Sequence, residues 1–239
     1  MQAEQTAIDV RVISRGAKFI GTSMGGVQIT LHDARTGELL VQGKTRGGTG
    51  DTQRIMRESH GRNGVLATES AAVFSTRLDL DEPRLIEVRA YGPLAQVQSA
   101  NTVTATQWVI PGKDLTGGNG WLLEMPGFVV DILDPPAHKG VTGLPRKIPV
   151  SANITKMCGC PLVPGGLWDA DQYEISALVR HNGEFLSELP LEYAGETSRF
   201  AGTLTAEQPG SYEITVYAFD PETGNTGLDI TTASNVSAE

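Results

Sequence analysis

The sequence predicts an all-β chain of two consecutive β-sandwich domains. Period-two alternation of apolar and polar residues recurs along the chain, whereas almost no stretch places apolar residues at i, i+3, i+4 and i+7 over three helical turns. Gly, Pro and Asn interrupt the alternating runs at short intervals, as turns between strands require. A length of 239 residues exceeds what one small sandwich needs and fits two ordinary domains. These are expected at 1–112 and 125–239, with a glycine-rich junction at 113–124 (113 onward: KDLTGGNGWLLE).

In the first half, Ile8–Ile13 (IDVRVI) and Val27–Leu31 (VQITL) alternate, and Arg35-Thr36-Gly37-Glu38 is a turn before a third run at Leu39–Gly43. These three runs are expected to form an opening meander. Thr45–Thr68, rich in Gly, Arg, Ser and Asn, reads as a long exposed loop. Ala72–Leu80, Leu85–Tyr91 and Val103–Ile110 follow as strands separated by Asp-Glu-Pro and Gly-Pro. The run Gly26-Val27-Gln28-Ile29-Thr30-Leu31-His32-Asp33, with Thr36-Gly37-Glu38 and Gly43-Lys44-Thr45, resembles the prealbumin-like, carboxypeptidase-regulatory family of sandwiches over residues 8–110. That resemblance implies a scaffold fold and assigns no activity.

In the second half, Phe128–Leu133, Ile148–Ile154 and Tyr173–Val179 read as strands, and His181-Asn182-Gly183-Glu184 as a hairpin turn. Leu189–Tyr193, Arg199–Leu204, Ser211–Phe219 and Asp229–Ser234 bring the total to roughly the seven expected of an immunoglobulin-like sandwich. The segment Pro209–Tyr217 (PGSYEITVY) resembles the penultimate strand of bacterial immunoglobulin-like domains. The resemblance implies a tyrosine corner at Tyr212, whereas the cysteine and tryptophan positions of antibody domains have no counterpart here. No internal repeat is present.

A hydrophobic content of 39% with 20% charged residues describes a chain able to bury a core. The formal net charge of −9 and the lack of a basic stripe argue against a nucleic-acid partner. Apolar runs fall far short of the roughly 20 residues of a membrane-spanning helix, so no membrane insertion is expected. The start, Met1-Gln2-Ala3-Glu4-Gln5-Thr6-Ala7, has neither a charged n-region nor an apolar h-region and reads as a mature terminus with an added Met or as a native cytosolic start. With the sandwich architecture it leads us to expect export, to the periplasm or outside the cell.

Chemistry is best sought in the long connection Thr155–Gln172. In an immunoglobulin-like topology it opens at the same end as Asp220-Pro221-Glu222-Thr223-Gly224-Asn225. It holds both cysteines of the chain as Met157-Cys158-Gly159-Cys160-Pro161. Three readings stand: a small-ring disulfide permitted by Gly159, a copper or zinc site of two thiolates with Met157 or His181, or small buried hydrophobes. Further along, Trp168-Asp169-Ala170-Asp171 admits a calcium reading with Asp220 or Glu222, against ordinary turn-capping aspartates and a core-capping tryptophan. Trp108, Trp121, Met125 and Phe128 bracket the junction, either as interdomain packing or as the lining of a ligand cleft.

The histidines, His32, His60, His138 and His181, show no paired metal-ligand spacing, and no Gly-x-Ser-x-Gly surrounds any serine. The glycine runs 47–50 and 117–120 lack the Lys-Ser/Thr of a phosphate loop. The leading expectation is therefore a non-catalytic binding or assembly module without a cofactor, recognising a protein or small ligand through loops of the second domain or the junction. Self-association is compatible with it. The alternatives are a metal (copper or zinc) or thiol-redox accessory protein centred on Cys158 and Cys160, and a cofactor-independent enzyme using the same loop.

Overall fold

The computed structural model describes residues 3–61 and 63–237, with side chains as far as residue 234; the Met1-Gln2 start lies outside them. The regular structure of the chain is nearly all strand, and the chain forms two compact units, Met1–Pro126 with Met157–Gly159, and Gly127–Lys156 with Cys160–Glu239. Each unit is a β-sandwich of two sheets.

The first unit carries β1 (Glu4–Ser14), β2 (Gln28–Asp33), β3 (Leu39–Lys44), β4 (Phe74–Leu80), β5 (Arg84–Gly92), β6 (Asn101–Val109) and β7 (Trp121–Met125). Its sheets run β4-β1-β7 and β3-β2-β5-β6. The alternation read along β1 buries Ile8, Val10 and Val12, and that along β5 buries Ile86, Val88 and Ala90. The opening meander does not form. Strand β1 pairs antiparallel with β4 and parallel with β7, and β2 pairs with β3 and β5. Alternation specifies which face of a strand is buried but not which strand lies beside it, because pairing is long-range.

Two further expectations for this half are corrected. The segment 113–124 is not a linker throughout, since Trp121–Met125 is strand β7, and the division between units falls at Pro126 and Gly127. Thr45–Thr68 is not a plain exposed loop: it contains a short helix α1 (Thr52–Met56), capped by the Asp51 carboxylate accepting the Arg54 N–H at 2.6 Å. Ile55 and Leu66 anchor this segment on the buried cluster of Ile13, Phe19, Ala67, Ala71 and Ala72. Ile55, Leu66 and Ala67 are thus the apolar side chains by which this polar run docks.

The second unit carries β8 (Phe128–Asp134), β9 (Lys139–Thr142), β10 (Arg146–Lys156), β11 (Glu174–His181), β12 (Glu184–Pro190), β13 (Glu192–Tyr193), β14 (Arg199–Ala206), β15 (Gly210–Asp220) and β16 (Asn225–Ser237). Its sheets run β13-β14-β10-β8 and β12-β11-β15-β16-β9. The β11–β12 hairpin turns at Asn182 and Gly183, whose φ angles of 50° and 89° are the positive pair a two-residue turn demands. The expected strand 189–193 is divided: β12 stays beside β11, and β13 crosses to pair with β14 in the other sheet.

Tyr212 makes the tyrosine corner. Its hydroxyl donates to the Gln208 carbonyl at 2.9 Å and accepts the Gln208 N–H at 3.2 Å, while its ring is buried at the start of β15. Tyr212→Phe keeps the ring and strands both backbone groups, so it is expected to lower stability by about 1–2 kcal/mol. Urea unfolding should then show an earlier midpoint with an unchanged slope.

Candidate functional site

The inward row of β10 reads Ile148, Val150, Ala152 and Ile154, and the next inward position is Lys156. The inward row of β15 reads Tyr212, Ile214, Val216 and Ala218, and the next is Asp220. Each strand thus ends its apolar stripe in a charge. The strands lie in opposite sheets, and the two charges meet across one end of the sandwich, with Lys156 Nζ 3.7 Å from Asp220 Oδ2.

Aromatic rings enclose the ammonium group. Its Nζ is 4.2 Å from the centre of the Phe128 ring and 4.3 Å from that of Tyr173, and the two rings meet edge to face at 5.3 Å. Only 2% of the Lys156 side chain is exposed. The carboxylate is also anchored: Asp220 Oδ1 accepts the N–H groups of Glu222 and Thr223 at 3.0 and 3.3 Å, and Oδ2 accepts the Thr223 hydroxyl at 2.8 Å. Beside it Asn225, fully buried, clamps the start of β8 by accepting the Gly127 N–H at 2.6 Å and donating to the Gly127 carbonyl at 3.0 Å.

Burial pushes the Lys156 amine down to about 8, against the pull of Asp220. Burial, followed by the charges of Asp220, Asp169 and Glu222, pushes the Tyr173 hydroxyl up to about 12. Their signs oppose in alkali. From about pH 8 upward the folded state releases the Lys156 proton while the unfolded chain retains it to about 10.5, so stability rises. Above about pH 10 the unfolded chain ionises Tyr173 while the fold keeps it neutral, so stability falls toward pH 12. While Lys156 and Asp220 form an ion pair, Lys156 and Tyr173 together should make the second unit more stable near pH 10 than at pH 7, by about 2 kcal/mol. Hydrogen exchange or urea unfolding across pH 7–11 checks this.

The connection after β10 returns against that strand's end. The Lys156 N–H donates to the Cys160 carbonyl at 3.0 Å. Cys158 and Cys160 are joined in a disulfide, with 2% and 4% exposure, and Gly159 between them sits at φ 76°, the left-handed turn that glycine favours. In the disulfide neither sulfur is a thiolate, the form that binds copper or zinc. Asp169 caps the turn that follows, its Oδ1 accepting the N–H groups of Gly165 at 2.8 Å and Asp171 at 3.2 Å. Trp168 is buried, whereas Asp171 and Glu222 are exposed. Among the described residues no group of three or more His, Cys, Asp or Glu is placed to hold a metal ion.

Of the other sequence candidates, Trp121 is a buried inward residue of β7 in the first unit. Met125 and Phe128 are buried in their own units, and Trp108 is half exposed with the Arg35 guanidinium 5.0 Å above its ring. Lys156, Tyr173 and Asn225 carry no motif that marks them in the sequence. The signal for Lys156 was present in the parity of β10, which places residue 156 on the face of 148, 150, 152 and 154.

No family model matches the chain, and no curated protein matches it. Among solved structures, the chain is similar to the fibronectin(III)-like modules of Clostridium thermocellum CbhA, at 10% identity and a TM-score of 0.33, over 98% of this chain and 95% of that one. It is also similar to titin domains Z1Z2 in complex with telethonin, at 8% identity and a TM-score of 0.26, over 99% of this chain and 98% of that one. A titin I-band fragment, I67–I69, matches at 13% identity and a TM-score of 0.25, over 98% of this chain and 60% of that one. At these scores the likeness assigns no family, and the all-β class rests on the strand pairing itself. Among the described residues no helix is long and apolar enough to cross a membrane.

Proposed function

We propose that the chain is an exported, non-catalytic binding or assembly module that recognises a protein or small ligand through the loops at the Lys156 end of the second unit. One observation carries this reading: the groups of 157–172 and 220–225 that chemistry would use are committed to holding the loops. The sulfurs bond to each other, Asp169 holds two backbone N–H groups, and Asp220 holds Glu222, Thr223 and Lys156. What faces solvent is a braced rim with Leu167 at 41% exposure and the carboxylates of Asp171 and Glu222. A rim ordered before binding loses little entropy on contact, and an apolar residue among carboxylates suits a ligand with an apolar patch and positive charge. On this reading the first unit, with its prealbumin-like resemblance over 8–110, is scaffold.

The test is a peptide and glycan array probed with the full chain and with Leu167→Asp/Glu222→Lys. Ligands bound by the wild type and lost by the rim variant support the reading. An array with no ligand, or ligands bound equally by both chains, overturns it.

The thiol-redox alternative rests on the Cys158–Cys160 disulfide and is separated by thiol titration. A disulfide serving redox chemistry opens to two titratable thiols under mild reduction of the native chain. A bracing disulfide, sealed at its present burial, opens only on unfolding.

A further inference from the structure

The ion pair at the end of the second unit has a geometry that simple charge pairing does not require. A buried amine and a buried carboxylate lie 3.7 Å apart on the two opposed sheets, walled by the Phe128 and Tyr173 rings. The carboxylate is polarised in a directed way. Two backbone N–H groups, of Glu222 and Thr223, converge on Oδ1, and the Thr223 hydroxyl donates to Oδ2, the oxygen 3.7 Å from Lys156 Nζ. Two N–H donors converging on one oxygen form the arrangement that stabilises the oxyanion of a tetrahedral intermediate in acyl transfer.

We propose that Lys156 and Asp220 condense into an amide cross-link that joins the two sheets of the second unit. One ammonium proton first moves to the carboxylate, giving a neutral amine and a carboxylic acid. The Nζ lone pair then attacks Asp220 Cγ, the Nζ–Cγ bond forms, and the negative charge collects on Oδ1 beneath the Glu222 and Thr223 N–H groups. The Cγ–Oδ2 bond breaks as Thr223 Oγ1 relays a second proton from nitrogen to Oδ2. Of the three ammonium protons, one remains on the amide nitrogen and two depart with Oδ2 as one molecule of water. No oxidant, metal or further reactant enters the balance.

The surroundings favour this direction. Burial penalises two charges and does not penalise a neutral amide in the same way, and holding the groups in contact removes the entropy loss of a bimolecular step. The same burial keeps part of the amine neutral near pH 8, the form that attacks.

The experiment is mass spectrometry of the intact, denatured and disulfide-reduced full chain after incubation at pH 8, followed by tryptic mapping. The expected result is a chain lighter than its sequence by one water. Trypsin should fail to cut after Lys156, and a branched peptide should link the Lys156 and Asp220 segments. Lys156→Arg and Asp220→Ala should each run at full sequence mass. The cross-linked chain should also lack the rise in stability above pH 8 that an ionic Lys156 produces. A wild-type chain at full sequence mass overturns the proposal, whether or not the variants fold. So does a lighter chain still cut after Lys156, because its water was then lost elsewhere, as in a succinimide.

Discussion

Asp220→Ala is expected to destabilise the second unit by about 3–5 kcal/mol, because it leaves the Lys156 ammonium buried without its counter-ion. The same change releases the N–H groups of Glu222 and Thr223 that the carboxylate holds, so the β15–β16 turn loosens as well. Hydrogen exchange at the β10 and β15 amides is the suitable measurement, since it reads the second unit separately from the first. Midpoint temperature should fall by at least roughly 12 °C for a unit of this size. The partner substitution separates the causes. Lys156→Met in the Asp220→Ala background removes the stranded charge while keeping an apolar stem between Phe128 and Tyr173, and should recover a large part of the loss. If the double variant is no more stable than Asp220→Ala alone, the buried ammonium is not the cause.

Gly227→Ala is expected to cost about 3 kcal/mol or more. An added Cβ would lie 2.4 Å from the Phe128 carbonyl oxygen and 2.8 Å from its nitrogen, well inside contact distance. Relief by movement is blocked from both sides. Phe128 pairs with Lys156 across the β8–β10 ladder, and Gly127 is clamped by Asn225. Gly140→Ala is the control, because nothing lies within 4 Å of the position its Cβ would take. That change should stay within about 0.5 kcal/mol. Equal losses at both positions would point to a general loss of strand stability and not to the approach of β16 to β8.

The second unit was partly legible in the sequence. Asn182-Gly183 announced its hairpin, and Tyr212 its corner, because both depend on a few consecutive residues. Cys158-Gly159-Cys160 announced a tight turn with adjacent sulfurs, which left disulfide, metal and plain burial open until the geometry joined them. Lys156 is inconspicuous in the sequence because a lysine at a strand end is ordinarily solvated. Only the parity it shares with Ile148, Val150, Ala152 and Ile154 marked it as inward. Strand β7 is obscured in the sequence by the glycines of 117–120 beside it, and β9 by its shortness, its run Lys139–Thr142 pairing with the distant β16.

From its sequence alone this chain was committed to strands, to their inward faces and to two sandwiches, since alternation and turn chemistry act over neighbouring residues. Tertiary structure decided partnership: that β1 lies between β4 and β7, that β13 crosses to β14, and that Lys156 meets Asp220. The physical reason is the same in each case. A strand's period states which side is buried, whereas its neighbour is chosen by long-range pairing and packing, and a charge at the end of an inward row is tolerable only once the opposite sheet supplies its counterpart.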